Sequence, residues 1–446
     1  MQNLPVLPGN TSLSLLETRI VRLMIILFVV FSLMPYGISW DYSGSSALTM
    51  EGSMTTKLQW GSLFLLASFV LYRHLAEALQ DLRAMNPFLM LVLIWCLASC
   101  IWSPLPATTI KRAIQLYGLI MIGLSIQLAA RPLQMMVSHI LYTLMCMLVL
   151  SFFIAIAIPS IGVDYELGGA WRGALSQKNE LGQIAALSIL LWQVKACTEN
   201  VGIKPLMLGL LFSFFMLVMS KSSTSMIISL MATGVFHLLR KRYLSSSYAL
   251  TRTALALFCV LVVIIYIFFM QESRLPTWQE AASPIAGLFG KGTDLTGRTD
   301  IWELVWLEIN KHYLIGLGYG AFWLGPDSLS QFVIDALHWI PLQSHNGYLD
   351  VLNEQGLIGL LLLILTLATQ VRLLVVLSRL DRQQAAFWTT ILIIVVTTNF
   401  TESSLFRGFV FQNVFFMFSM VAVTSTTRRL KLQAQAGIKT QQKTLH

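Results

Sequence analysis

An all-α, polytopic membrane protein is the fold class this sequence predicts, on three observations. Of its 446 residues, 56% are hydrophobic and only 11% are charged, where a soluble domain carries roughly 25% charged residues. Long apolar runs recur along the chain, each able to cross a hydrocarbon core about 30 Å thick. Lys and Arg fall unequally on alternate sides of those runs. With a mean hydropathy of +0.70, most of the surface is built to face something other than water.

The runs place about 12 transmembrane helices at 22–40, 58–72, 87–102, 113–130, 136–158, 181–195, 205–220, 224–239, 253–270, 347–370, 386–400 and 408–425. The first is long, lacks a small-residue cleavage site, and is followed by further spans. It is therefore expected to stay as a span rather than leave as a signal peptide. An even number of spans puts both termini on one side. With the N-terminus inside, 19 Lys and Arg fall inside against 11 outside, and 5 acids inside against 16 outside. The positive-inside rule then makes both termini cytoplasmic. The inside set includes Arg240, Lys241 and Arg242 and the tail residues Arg428, Arg429, Lys431, Lys439 and Lys443. The net charge of +9 is thus an orientation signal that meets anionic lipid, and no nucleic-acid partner is expected.

The expected organisation is spans one to nine in 1–270, an extracytoplasmic loop domain at 271–345, spans ten to twelve in 346–427, and a cytoplasmic tail at 428–446. The loop carries Trp278, Trp302, Trp306, Trp323 and Trp339, which argues against disorder. Apolar residues Ile301, Leu304, Val305 and Ile309 recur at helical spacing, so an amphipathic helix is predicted there. The loop should form a small helical cap on the outer face. Cys96, Cys100, Cys146, Cys197 and Cys259 all lie in or beside apolar runs. That distribution suggests neither a disulfide framework nor a metal site.

Three outer segments combine cations or His with glycine. They are Trp171–Gly182, Gly297–Trp302 followed by Gly316-Leu317-Gly318-Tyr319-Gly320, and Ser344–Asp350 followed by Glu354–Gly359. Arg172, Lys178 and Arg298 are donors suited to phosphate oxygens, which Arg binds bidentately. Arg298 also sits at a predicted helix N-terminus, which favours anions. His345 takes up a proton near neutral pH. A single Arg is equally well explained as snorkelling to lipid headgroups. What favours a site is that all three segments fall on one side in the charge count. Trp102, Trp171 and Trp323 are expected in an interfacial aromatic belt. Lys221–Ser225 is expected to be a short outer turn, and His139 and His237 to lie near inner span ends.

In order and spacing these segments resemble the O-antigen ligase-like superfamily, which includes O-antigen ligases and Wzy-type polysaccharide polymerases. The motif-bearing part is 171–359, while the hydropathy match covers nearly the whole chain. Many relatives of the polymerase kind carry His-Lys-Asn where this chain has Gln177-Lys178-Asn179, a departure that weighs slightly against polymerase. The resemblance implies a GT-C-type glycosyltransferase of the bacterial inner membrane, its active site facing the periplasm. It would be metal-independent, inverting and without cofactor. Arg172 and Arg298, helped by Lys178, would hold the diphosphate of an undecaprenyl diphosphate-linked glycan. His345 would take the proton of the acceptor hydroxyl. Asn346, Asp350 and Glu402 are candidates for orienting His345 or touching the acceptor. The acceptor would be lipid A-core, giving O-antigen ligation in lipopolysaccharide synthesis; the alternative is a lipid-linked glycan, giving O-antigen or exopolysaccharide polymerisation. A flippase or transporter is a second alternative. Against it stand the lack of an internal repeat and the scarcity of mid-span charge.

Overall fold

The computed structural model describes residues 13–34, 54–129, 132–165, 167–240 and 298–444. The expected ninth span, Cys259 and the first part of the expected loop domain lie outside them. The described helices are α1 (Leu15–Leu33), α2 (Met54–Arg73), α3 (Leu75–Arg83), α4 (Pro87–Ala98), α5 (Pro106–Gln127), α6 (Pro132–Ala157), α7 (Lys178–Thr198), α8 (Ile203–Met219) and α9 (Ser223–Arg240). After the undescribed stretch come α10 (Arg298–Lys311), α11 (Gln331–Leu337), α12 (Gly347–Leu380), α13 (Arg382–Thr398) and α14 (Phe411–Thr444). Between α6 and α7 a two-residue strand, Val163–Asp164, pairs antiparallel with Ala170–Trp171.

The protein is mostly helical, as its composition predicts. Four helices, α5, α6, α7 and α12, are each long and apolar enough to cross a membrane. Helices α2 and α3, bent by 102°, make a fifth if the pair is one span. Large apolar side chains remain exposed on helix faces, for example Leu65, Leu208, Leu211 and Leu361. In water this would be a liability, but it suits contact with lipid. One expected span differs in form. Helix α4 has 12 residues, about 18 Å of helix, and ends in a 3-10 turn at Ser99–Ile101. There the Ser99 hydroxyl accepts the Tyr319 amide at 3.0 Å. The Gly318–Gly320 turn packs so tightly that a Cβ on Gly318 would lie 2.6 Å from Ser103.

Local signals set the helix starts. Ser14 and Glu17 form a reciprocal capping box on α1. Asn86 caps α4 with Pro87 at its first position. Asn346 caps α12 through the amides of Tyr348 and Leu349. Helix α12 is broken at Gly356, with φ 69° and ψ −172°, values that only glycine adopts without strain. The carbonyls and amides this releases are taken up by the preceding chain. The Leu317 and Gly318 amides donate to the Asn353 and Glu354 carbonyls at 2.9 Å, and the Leu357 amide donates to the Tyr313 carbonyl at 2.8 Å. The break thus docks the chain after α10 onto α12 without leaving buried backbone unpaired.

The amphipathic helix predicted in the outer loop is α10. Ile301, Val305 and Ile309 are buried on one face and pack with Leu317, Phe322, Trp323, Val333 and Leu352. Trp323 corrects an expectation. It is 3% exposed and donates its indole N–H to Asp350 Oδ1 at 2.8 Å, so it belongs to this small core rather than to an interfacial belt.

The contacts gather polar residues at two ends of the bundle, and these follow the charge partition. At one end Glu17 pairs with Arg73 at 2.6 Å. There too Asp81, 1% exposed, is held by Arg428 at 2.7 Å and Arg429 at 2.8 Å. A buried carboxylate stripped of charge beside two guanidiniums leaves them uncompensated, which costs about 3 kcal/mol or more. Asp81→Asn is therefore expected to lower the detergent-solubilised melting temperature clearly. An Asp81→Asn protein melting with wild type would show that the α3–α14 pairing contributes little.

Candidate active site

At the opposite end, the loop between α13 and α14 carries Glu402, whose amide is fixed by the Thr398 carbonyl at 2.9 Å. Its carboxylate is 17% exposed and joins four separate segments. Oε1 accepts from Arg298 Nη2 at 3.3 Å and from Asn179 Nδ2 at 3.4 Å. Oε2 faces His345 Nδ1 at 3.2 Å and accepts from Gln343 Nε2 at 3.3 Å. Arg298 is the first residue of α10, and Asn179 lies in the first turn of α7. The Gln343 amide oxygen takes the Ser403 amide at 3.1 Å, which pins the two loops together.

A carboxylate has only acceptor sites, so the proton between Glu402 and His345 belongs to Nδ1. That tautomer leaves Nε2 as the proton-accepting nitrogen. The carboxylate also stabilises the imidazolium formed when Nε2 takes a proton. His345 has φ 55°, a left-handed conformation uncommon for a residue with a Cβ.

The His345 loop is held from behind. Asp350, 4% exposed, receives the Ser344 amide at 3.4 Å and the Trp323 indole. Arg407 donates to the Leu342 carbonyl at 2.7 Å and approaches Asp350 Oδ2 at 3.6 Å. Trp302 donates to the Ser344 carbonyl at 2.8 Å. Asp350 therefore acts on the backbone beside His345, not on its ring, and Asn346 serves α12 as its cap.

The structure thus brings together Arg298, His345 and Glu402. Lys178 precedes Asn179 at the start of α7. Arg172 follows the second strand, and its Nε donates to the Ile161 carbonyl at 2.7 Å. The contacts given for Arg172 do not link it to Glu402. Sequence reading assigned no role to Gln343, Asn179 or Arg407. Arg407 carried a usable signal, an outer Arg followed by Gly408, the pattern that singled out Arg172 and Gly173. Among the described residues no group of three or more His, Cys, Asp or Glu side chains is arranged to hold a metal ion.

Fold and site together define a multi-pass helical membrane protein with a partly buried Arg–carboxylate–His chain at one end of its bundle. Comparison with known proteins narrows this. The O-Antigen ligase family matches residues 208–364, a stretch that contains Arg298 and His345 but neither Arg172 nor Glu402. Exopolysaccharide production protein ExoQ of Rhizobium meliloti (strain 1021) is 28% identical over 205 residues, which is 44% of this chain and 45% of that protein. The chain therefore matches less than half the length of this relative. Similarity to the O-antigen ligase-like superfamily, implied by the ordered motifs, is shown by these matches.

Proposed function

We propose that the protein transfers a glycan from a polyprenyl diphosphate to a saccharide hydroxyl at the periplasmic face of the bacterial inner membrane. The observation that carries this reading is the Arg298–Glu402–His345 chain: a cation for a diphosphate and a proton acceptor, coupled through one carboxylate. In the proposed step His345 Nε2 takes the proton of the acceptor O–H. The freed oxygen attacks the anomeric carbon from the face opposite the leaving group. The C–O bond to the diphosphate breaks, its electron pair stays on the phosphate oxygen, and the configuration inverts. Arg298, with Lys178 and Arg172 as further cations, offsets the charge growing on that oxygen, so no metal ion is required.

Undecaprenyl diphosphate is the proposed carrier. The family match supports lipid A-core as acceptor, giving O-antigen ligation. Similarity to an exopolysaccharide production protein favours a second reading, in which the acceptor is another lipid-linked glycan and the product a longer polysaccharide. One assay separates the two. Purified protein is given a synthetic undecaprenyl diphosphate glycan in EDTA with either acceptor, and products are read by gel and mass spectrometry. Transfer to lipid A-core supports ligation, and transfer to the lipid-linked glycan supports polymerisation. Absence of transfer to both by folded protein would overturn the enzyme reading in favour of a transporter.

A further inference from the structure

A cleft runs into the bundle from the edge of the candidate active site. It lies between α7, α9, α13 and α14 and encloses about 560 Å³ of empty space, its open side included. Its upper rim touches the site's own hydrogen-bond chain. Ser225 on the rim bonds the Ser222 hydroxyl at 3.0 Å, and Ser222 bonds Asn179 Oδ1 at 3.0 Å. Asn179 in turn donates to Glu402. Gln183, also on the rim, is one helical turn along α7 from Asn179. Phe411, which opens α14, directly follows the loop that carries Glu402.

Small side chains make the space. Helix α9 presents Ser225, Ser229 and Ala232 to the cleft, residues at helical i, i+4, i+7 spacing that share a face. At the rim α7 and α9 are close enough that a Cβ on Gly182 would lie 2.7 Å from the Ser225 hydroxyl. From Ser225 to Ala232 the cleft descends about 10 Å along α9. Beyond the serines and amides of its upper part, the lining is aliphatic and aromatic, with Ile391 and Phe415 among the walls.

We propose that this cleft holds the isoprene units nearest the diphosphate of the lipid-linked donor, a proposal that rests on the glycan-transfer reading above. A polyprenyl diphosphate is polar at one end and apolar immediately beyond it. The site has the same polarity sequence, passing within a helical turn from Arg298 and Glu402 to an apolar channel. Seating the first units fixes the angle at which the diphosphate meets Arg298. Positioning of this kind from a remote part of a substrate lowers the barrier at the reacting bond.

The full chain in nanodiscs of phosphatidylethanolamine and phosphatidylglycerol is photolabelled with a farnesyl diphosphate bearing a diazirine on its terminal isoprene. Label is expected on cleft residues such as Ala232 and Ile391, and unlabelled undecaprenyl diphosphate should compete it away. Label confined to outward helix faces such as Leu361 would overturn the proposal, as would equal competition by dipalmitoyl phosphatidic acid, the mark of a general acyl-chain slot. In transfer assays Ala232→Trp should raise KM at least about tenfold for the undecaprenyl donor, with KM for a donor carrying a single isoprene unchanged and Ala232→Ser silent. Should Ala232→Trp not fold, Ser229→Leu is read in its place. An unchanged KM for the long donor in a folded, bulk-filled variant would overturn the cleft assignment while leaving glycan transfer standing. An inactive wild type would instead overturn the transfer reading, and the labelling pattern alone would then decide the cleft.

Discussion

Replacing His345 by Asn is expected to lower kcat for glycan transfer by about a hundred- to ten-thousand-fold, the range for loss of a general base. Asn is the better test than Ala. His345 sits at φ 55°, a conformation Asn tolerates and Ala resists, so His345→Ala mixes backbone strain with loss of the imidazole. His345→Asn removes the proton acceptor and keeps the turn that carries it. Its melting temperature should match wild type, and donor KM should change little because the diphosphate cations remain. Glu402→Gln should fall between the two. The imidazole survives, but its Nδ1 proton faces an amide instead of a carboxylate, and the imidazolium loses its counter-charge. A His345→Asn protein that is folded and retains wild-type kcat would remove His345 from the mechanism and leave the acceptor to lose its proton to solvent.

Why part of this site was readable in sequence and part was not follows from the range of its contacts. The amphipathic period of α10 is local, and Ile301, Val305 and Ile309 are indeed buried along one face. Asn346 and the glycines around it are local signals of a cap and a tight entry to α12. Glu402, by contrast, reaches its partners across 57, 104 and 223 residues of chain. Nothing near Thr401-Glu402-Ser403 announces that it joins His345 to Arg298. Gln343 bonds Glu402, His345 and Ser403 only because two loops meet. Asp350 reads as a fifth residue after His345, pointing elsewhere. It does point elsewhere, but onto the Ser344 amide, so its influence on His345 passes through backbone that no side-chain spacing encodes. Span positions show the same division. Hydropathy finds apolar helices, but the shortened end of α4 depends on the Gly318–Gly320 turn, which arrives from more than two hundred residues away in the chain.

Arg298→Ala should lower kcat/KM by about a hundred- to a thousand-fold, the effect of removing one donor aimed at charge that develops in the transition state. Arg298→Lys should recover part of this, since a point charge replaces a planar fork that matches two phosphate oxygens. The geometry adds a further expectation. In the structure Arg298 and His345 share the two oxygens of Glu402, so the three do not act independently. Removing Arg298 leaves Glu402 with one cationic partner fewer and His345 bound to a carboxylate with fewer ties. The losses from Arg298→Ala and Glu402→Gln should therefore fail to add, and a double-mutant cycle should return a coupling of about 0.5 kcal/mol or more. Arg172→Ala is the informative control. Its guanidinium is tied to the Ile161 carbonyl, and no contact given for it reaches Glu402, so its cycle with Glu402→Gln should close to additivity even where its own loss is large. Strong coupling of Arg172 to Glu402, with none for Arg298, would reverse the two roles and move the diphosphate to the α6–α7 connection.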